Sequence, residues 1–107
     1  MTVSASSWVA GHRIARSLGL VYGNTIRARH VGRDILAALK NVVGGEIEEY
    51  TKLMAEAREQ AIDRMVAQAT TRGANAVVSV RFSTSYIMGS ASEILAYGEA
   101  VMLEKSE

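Results

Sequence analysis

The spacing of apolar residues changes several times along the chain, and each change predicts an element. From Arg13 to Arg29, the residues Ile14, Leu18, Leu20, Tyr22 and Ile26 are separated by polar or small ones, with Gly19 and Gly23 as punctuation. This spacing predicts an extended strand over about residues 14–22, bent at Gly19, because glycine inside a strand marks a bulge or a close backbone approach. Arg27 and Arg29, two apart on extended backbone, would share one face. A helix is then expected from about His30–Arg33, since Ile35, Leu36, Leu39, Val42 and Val43 recur every three to four residues. Gly44-Gly45 ends it as a C-terminal breaker would. A second, longer helix is predicted from about Glu46 to Arg72. Glu46, Glu48 and Glu49 load its first turn with negative charge, which the positive end of the helix dipole favours. Tyr50, Leu53, Met54, Ala57, Ala61, Met65 and Ala69 make a stripe at helical period, with Ile47, Ile62 and Val66 on its flank. Glu48 and Lys52 form a surface pair worth a few tenths of a kcal/mol. Gly73 suits the residue just beyond the helix end.

After Gly73 the period becomes that of a strand. Ala76–Ser83 reads as buried on both faces at its start and alternating beyond Arg81, with Phe82 inward and Arg81 and Ser83 outward. Tyr86–Ala91, which contains Gly89, reads as a turn, Ile94–Leu103 as the last strand, and Glu104–Glu107 as a frayed tail. The order strand, short helix, long helix, strand, strand predicts an α+β fold. A small, mainly antiparallel sheet packs on one long helix plus a short one, and residues 1–107 form a single domain.

Composition adds a constraint that periodicity does not. The chain holds sixteen Ala and nine Gly but only six aromatics. Yet the long helix carries apolar residues beside its main stripe, and Ala76–Val80 is apolar on both faces. A monomer that buried one line would leave the other as an exposed patch of the kind that marks an interface. Closed homo-oligomerisation covers such patches and the edges of a short sheet. The plainer reading is that the short helix and the N-terminal segment cover everything.

Net charge is +1, which argues against a dedicated nucleic-acid partner. It is unevenly spread, with +5 over residues 1–45 and −4 over the remainder. No apolar run approaches the ~18 residues of a bilayer crossing, so no membrane partner is expected. The N-terminus lacks a secretory pattern and there is no Cys, which excludes disulfides and thiolate metal sites and fits a cytoplasmic protein.

Few residues group into chemistry. His30 and Asp34, four apart across a helix start, could face one divalent transition metal. A third ligand would come from His12, Glu46 or another subunit. The plainer reading makes Asp34 a first-turn carboxylate beside a surface histidine. Arg27, Arg29 and Arg33, near a helix N-terminus, could bind a small anion or nucleotide-like ligand through guanidinium forks and free amides. Ion pairing with the acidic helix or a neighbour is the alternative. No nucleophile, base and orienter are placed together, so no enzyme is expected. The methionines read as core filler.

Ordered landmarks carry a resemblance. Gly19-Leu20-Val21-Tyr22-Gly23, Arg33-Asp34-Ile35, Asn41-Val42-Val43-Gly44-Gly45, Tyr50, Ala57-Arg58, Ala61, Gly73-Ala74-Asn75-Ala76-Val77-Val78 and Tyr97-Gly98-Glu99-Ala100-Val101 resemble the YbjQ family across nearly the whole chain. His30-Val31-Gly32 and Glu99 depart from its pattern. The resemblance implies a dodecin-like α+β subunit in a homopentamer, with extra short strands joining subunits, and a heavy-metal-binding label. The combined reading is a cytoplasmic homo-oligomer that acts as a binding or scaffold module. Its expected partner is itself.

Overall fold

Strand β2 (His12–Arg27) and strand β4 (Ala91–Lys105) form the spine of a computed structural model that describes residues 1–27, 45–88 and 91–106. They pair antiparallel along nearly their full length, from His12 opposite Lys105 to Arg27 opposite Ser92. Strand β3 (Ala76–Met88) pairs antiparallel with the other side of β4. A two-residue strand, β1 (Thr2–Val3), adds parallel to the start of β3, giving the order β1-β3-β4-β2. The sheet is therefore mainly antiparallel, as expected, with a fourth strand that the spacing did not show. The short helix expected over about residues 30–43 lies outside the described residues.

The long helix, α1, spans Gly45–Thr71, within a residue of its expected limits. Its end forms a Schellman motif. The Gly73 amide donates to the Thr70 carbonyl at 3.0 Å and the Ala74 amide to the Ala69 carbonyl at 3.1 Å, and Gly73 takes φ 82°. That left-handed conformation favours glycine.

Ala57, Ala61, Met65 and Ala69 are fully buried, each four residues from the last. They pack with Val21, Val77, Val80, Ile94, Ala96 and Ala100 on one face of the sheet. The helix lies over β2 and β4 and barely touches β3. Its approach to β2 is set at Gly23, where an added Cβ would overlap the Ala61 carbonyl oxygen and the Met65 amide nitrogen. Small residues on both elements bring backbone onto backbone. Ile62 and Val66, expected on a second and unpaired side, are half-buried, with Ile62 packed against this core.

The chain itself covers the start of β3 on the other face. Ala76, Val78, Val101 and Leu103 form a second small core with Val9 over it. Ser4 donates to Val77 (2.9 Å) and accepts from Val80 (3.0 Å), while Ser6 accepts from Ser79 (2.9 Å). A bulge between Val78 and Arg81 holds Ser79 at φ 55°. The apolar Ala76–Val80 stretch is thus satisfied within one chain, by the α1-side core at Val77 and Val80 and by the N-terminal segment at Ala76 and Val78, contrary to the expectation that it needs a neighbour.

Three other expectations are corrected. Residues 86–88 belong to β3 and Ala91 opens β4, so the turn is shorter than Tyr86–Ala91. Glu104 and Lys105 pair with Arg13 and His12, so the ladder holds them and they are not frayed. Phe82 is 46% exposed, although it lies opposite Ala96 on the helix-bearing face, because α1 does not extend over β3. The bend at Gly19 is present, with φ 91° and a register shift between Ser17 and Gly19.

Candidate functional site

In an antiparallel pair, alternate residues turn both backbone groups toward the partner strand and the rest turn them away. On β2 the outward set includes Leu18, Leu20, Tyr22 and Asn24, and every one of them meets a side chain of α1. Arg72 donates to the carbonyls of Leu18 (3.2 Å) and Leu20 (2.7 Å), Gln68 Oε1 accepts from the Tyr22 amide (2.7 Å), and Arg64 donates to the Asn24 carbonyl (2.5 Å). The spacing makes this possible. Helix positions four apart rise about 6 Å, close to the roughly 6.7 Å between alternate strand residues. Arg64, Gln68 and Arg72 therefore run along the strand edge in step and cap it from Leu18 to Asn24.

Among the described residues, no element covers the remaining face of the sheet above the N-terminal segment. Leu20, Tyr22 and Ile26 are 63%, 51% and 55% exposed. With Asn24, Glu93, Leu95 and Tyr97, Leu20 and Tyr22 line a shallow apolar groove. Tyr22 and Tyr97 lie directly opposite each other across the β2–β4 ladder. At the groove's upper end Asn24 donates to Glu93 at 3.0 Å. At its lower end the Ser17 hydroxyl donates to Glu99, the residue that departs from the resembled pattern. Leu20, Tyr22 and Ile26 thus face away from the helix, whereas Leu18 packs against the helix-bearing core and Val21, Gly23 and Thr25 face it. Thr25 is buried and its Oγ1 has no partner among the described residues.

The second edge of the sheet is closed over only part of its length. Since Val21, Gly23 and Thr25 turn their groups toward Gly98, Ala96 and Ile94 of β4, the alternate β4 residues Tyr97, Leu95 and Glu93 turn theirs toward Arg81, Ser83 and Ser85 of β3. Phe82, Thr84 and Tyr86 therefore point their N–H and C=O groups outward. Val80 points outward too and is taken by Ser4. Beyond Val80, no backbone partner from the described residues meets this edge.

Of the residues expected to carry chemistry, His12 and Arg27 are among the described ones. Arg27 ends β2 opposite Ser92. Arg29, Arg33, His30 and Asp34 lie outside the described residues. His12 is exposed and its Nδ1 lies 2.9 Å from the Ala10 carbonyl. It begins the 16-residue strand that Arg27 ends, so the two are roughly 50 Å apart at ~3.3 Å per residue. His30, the histidine expected to share a metal with His12, lies outside the described residues. Among the described residues no three His, Cys, Asp or Glu side chains cluster, and no helix is long and apolar enough to cross a membrane.

Comparison with known proteins places these features in a lineage. A family model, YbjQ, described as "Putative heavy-metal-binding", matches residues 1–104. A UPF0145 protein of Dehalococcoides mccartyi is 59% identical over 104 residues, covering 97% of this chain and 100% of the relative. One from Archaeoglobus fulgidus is 54% identical over 101 residues, covering 94% of each. Among solved structures, a protein of unknown function from Pediococcus pentosaceus, assigned to the DUF74 family, superposes with a TM-score of 0.65. It covers 97% of this chain and 98% of its own at 10% identity. That likeness concerns the α+β fold alone.

Proposed function

The chain belongs to the YbjQ family, and from that premise we propose that it is a self-assembling binding or scaffold module without catalytic activity. It works in the cytoplasm as a closed, dodecin-like homo-oligomer, with the family resemblance pointing to five subunits. The observation that carries this reading is the shape of the single chain. Its radius of gyration is 17.2 Å and it measures 59 × 26 × 17 Å, whereas a compact chain of this length has a radius near 13 Å. Two strands of about fifteen residues and a 27-residue helix make a long, thin slab with an apolar row on one face. Such slabs reach ordinary surface-to-volume ratios by stacking or joining.

The test is the mass in solution. Light scattering at micromolar concentration is expected to give several times 11.5 kDa, and a monomer would overturn the reading.

The family description favours a second reading, in which the assembly holds a heavy metal. Calorimetric titration with zinc, copper and nickel tests it. A saturable heat that is lost in His30→Ala supports the metal reading, and its absence with all three ions removes it.

A further inference from the structure

We infer that the groove on the open face of the sheet binds a long, linear polyamine, stretched between the carboxylates of Glu93 and Glu99. The inference goes beyond the self-assembly reading and applies to each chain singly.

Two shallow apolar stretches meet on this face. Leu20, Tyr22, Leu95 and Tyr97 line one, with Glu93 at its end. Leu20 and Tyr97 also line the other, which reaches Glu99, so the groove is continuous. Among the described residues, the charged side chains that line it are these two carboxylates. Each is held by a neutral donor, Glu93 by Asn24 at 3.0 Å and Glu99 by the Ser17 hydroxyl. Neither forms an ion pair among the described residues. Arg81 stands opposite Tyr97 on β3. Its guanidinium is spent on the Ala5 and Val80 carbonyls, both at 2.8 Å, and it does not line the groove.

An apolar strip with an uncompensated negative charge at each end is complementary to ammonium groups joined by an aliphatic chain. The tyrosines add to this preference. Tyr22 and Tyr97 lie opposite each other near the middle of the strip, and aromatic rings attract cations.

Length narrows the ligand further. Glu93 and Glu99 are six residues apart on one strand, about 20 Å at ~3.4 Å per residue. An extended chain advances about 3.5 Å for every three bonds, which sets the terminal nitrogens of spermine about 15 Å apart. Ammonium-to-carboxylate contacts of about 2.8 Å at both ends make up the difference. With one end at Glu99, the next nitrogen falls about 5 Å further in. That is level with Tyr97, which stands about 7 Å along the strand from Glu99. Putrescine spans only about 6 Å and reaches one carboxylate at a time.

Calorimetric titration of the whole protein with spermine tests the assignment. Saturable binding at one site per chain is expected, with putrescine about tenfold weaker. Glu93→Gln/Glu99→Gln keeps the side-chain shapes and is expected to weaken spermine about tenfold, as loss of two exposed charge contacts would. Tyr22→Leu is expected to weaken it about threefold. Glu56→Gln/Glu59→Gln removes equal charge from the exposed side of α1 and is expected to leave binding unchanged. Equal losses in the two double variants would mean general attraction to acidic surface and would overturn the inference, as would equal affinity for putrescine. A lysine-rich peptide that displaces spermine at equal charge would overturn it in favour of a protein partner. Absence of saturable binding overturns it and leaves self-assembly standing, while a monomer that binds spermine does the reverse.

Should the Glu93→Gln/Glu99→Gln variant fail to fold, amide chemical shifts of the wild-type protein decide. Spermine is expected to move those of Leu20, Tyr22, Leu95 and Tyr97. Shifts confined to α1, or spread over every acidic residue, would overturn the inference.

Discussion

The two edges of this sheet are built from similar strands and treated in opposite ways. On β2 the outward groups of Leu18, Leu20, Tyr22 and Asn24 end on Arg64, Gln68 and Arg72. On β3 those of Phe82 and Thr84 meet no backbone partner among the described residues. The cause is where the helix sits. Gly23 lets α1 descend until its backbone touches that of β2, and at that height its polar flank reaches around the strand. The same displacement draws α1 away from β3 and leaves Phe82 half in solvent. One small residue therefore helps decide which edge is sealed and which is offered.

The most damaging way to break this arrangement is to fill the space at Gly23. The atoms a side chain would meet are backbone atoms of Ala61, Arg64 and Met65, which cannot rotate away as a side chain could. Gly23→Val is expected to cost about 3 kcal/mol, the upper range for overpacking, read as a lower urea midpoint. A loss below about 0.5 kcal/mol, the level of a neutral surface change, would mean that the helix does not rest on β2 in this way.

A milder change makes the edges alike. In Arg64→Ala/Gln68→Ala/Arg72→Ala the four outward groups of β2 lose their partners and turn to water. These bonds are exposed, so the expected stability cost is modest, about 1–2 kcal/mol in all. The larger consequence is a second open edge. Light scattering is expected to show association beyond the wild-type particle, because an unprotected edge templates pairing without closure. An unchanged mass distribution would show that those three side chains do not guard the edge.

Local signals in the sequence were legible and relational ones were not. The stripe from Met54 to Ala69, the stop at Gly73 and the bend at Gly19 each depend on a few adjacent residues, and each stands where periodicity or glycine chemistry put it. Strand β1 is two residues long and exists because Ala76 and Val77 lie beside it, a pairing that no local pattern announces. Thr84 and Ser85 fall between the expected strand, which ends at Ser83, and the expected turn, yet β4 holds them in a strand. The alternation of Leu20, Tyr22 and Ile26 marks extended backbone but does not say which face is covered, and here the small residues Val21 and Gly23 take the helix. Arg64, Gln68 and Arg72 stand four apart along the flank of the alanine stripe. That spacing was visible, but its meaning required knowing that an edge strand lies under it. Of the expected site residues, Arg27 ends β2, and His30, Asp34, Arg29 and Arg33 lie outside the described residues.

The smallest expected effect sits where the two long strands end. Arg13 and Glu104 are opposite each other on β2 and β4 and form an ion pair, a contact easily credited with holding the C-terminal residues in place. Their side chains are 64% and 53% exposed, and exposed pairs of this kind contribute between nothing and about 1 kcal/mol. The backbone offers a stronger restraint. The register continues through Lys105 opposite His12, and the Ser106 amide donates to the Gly11 carbonyl at 2.9 Å. Glu104→Gln is therefore expected to shift stability by at most about 0.5 kcal/mol, a difference that vanishes near 1 M salt, where the screening length falls to about 3 Å. Strand ends would then be held as the β2 edge is, by backbone groups that find partners, with charge as trim. A loss above about 1 kcal/mol that persists at high salt would reverse that order.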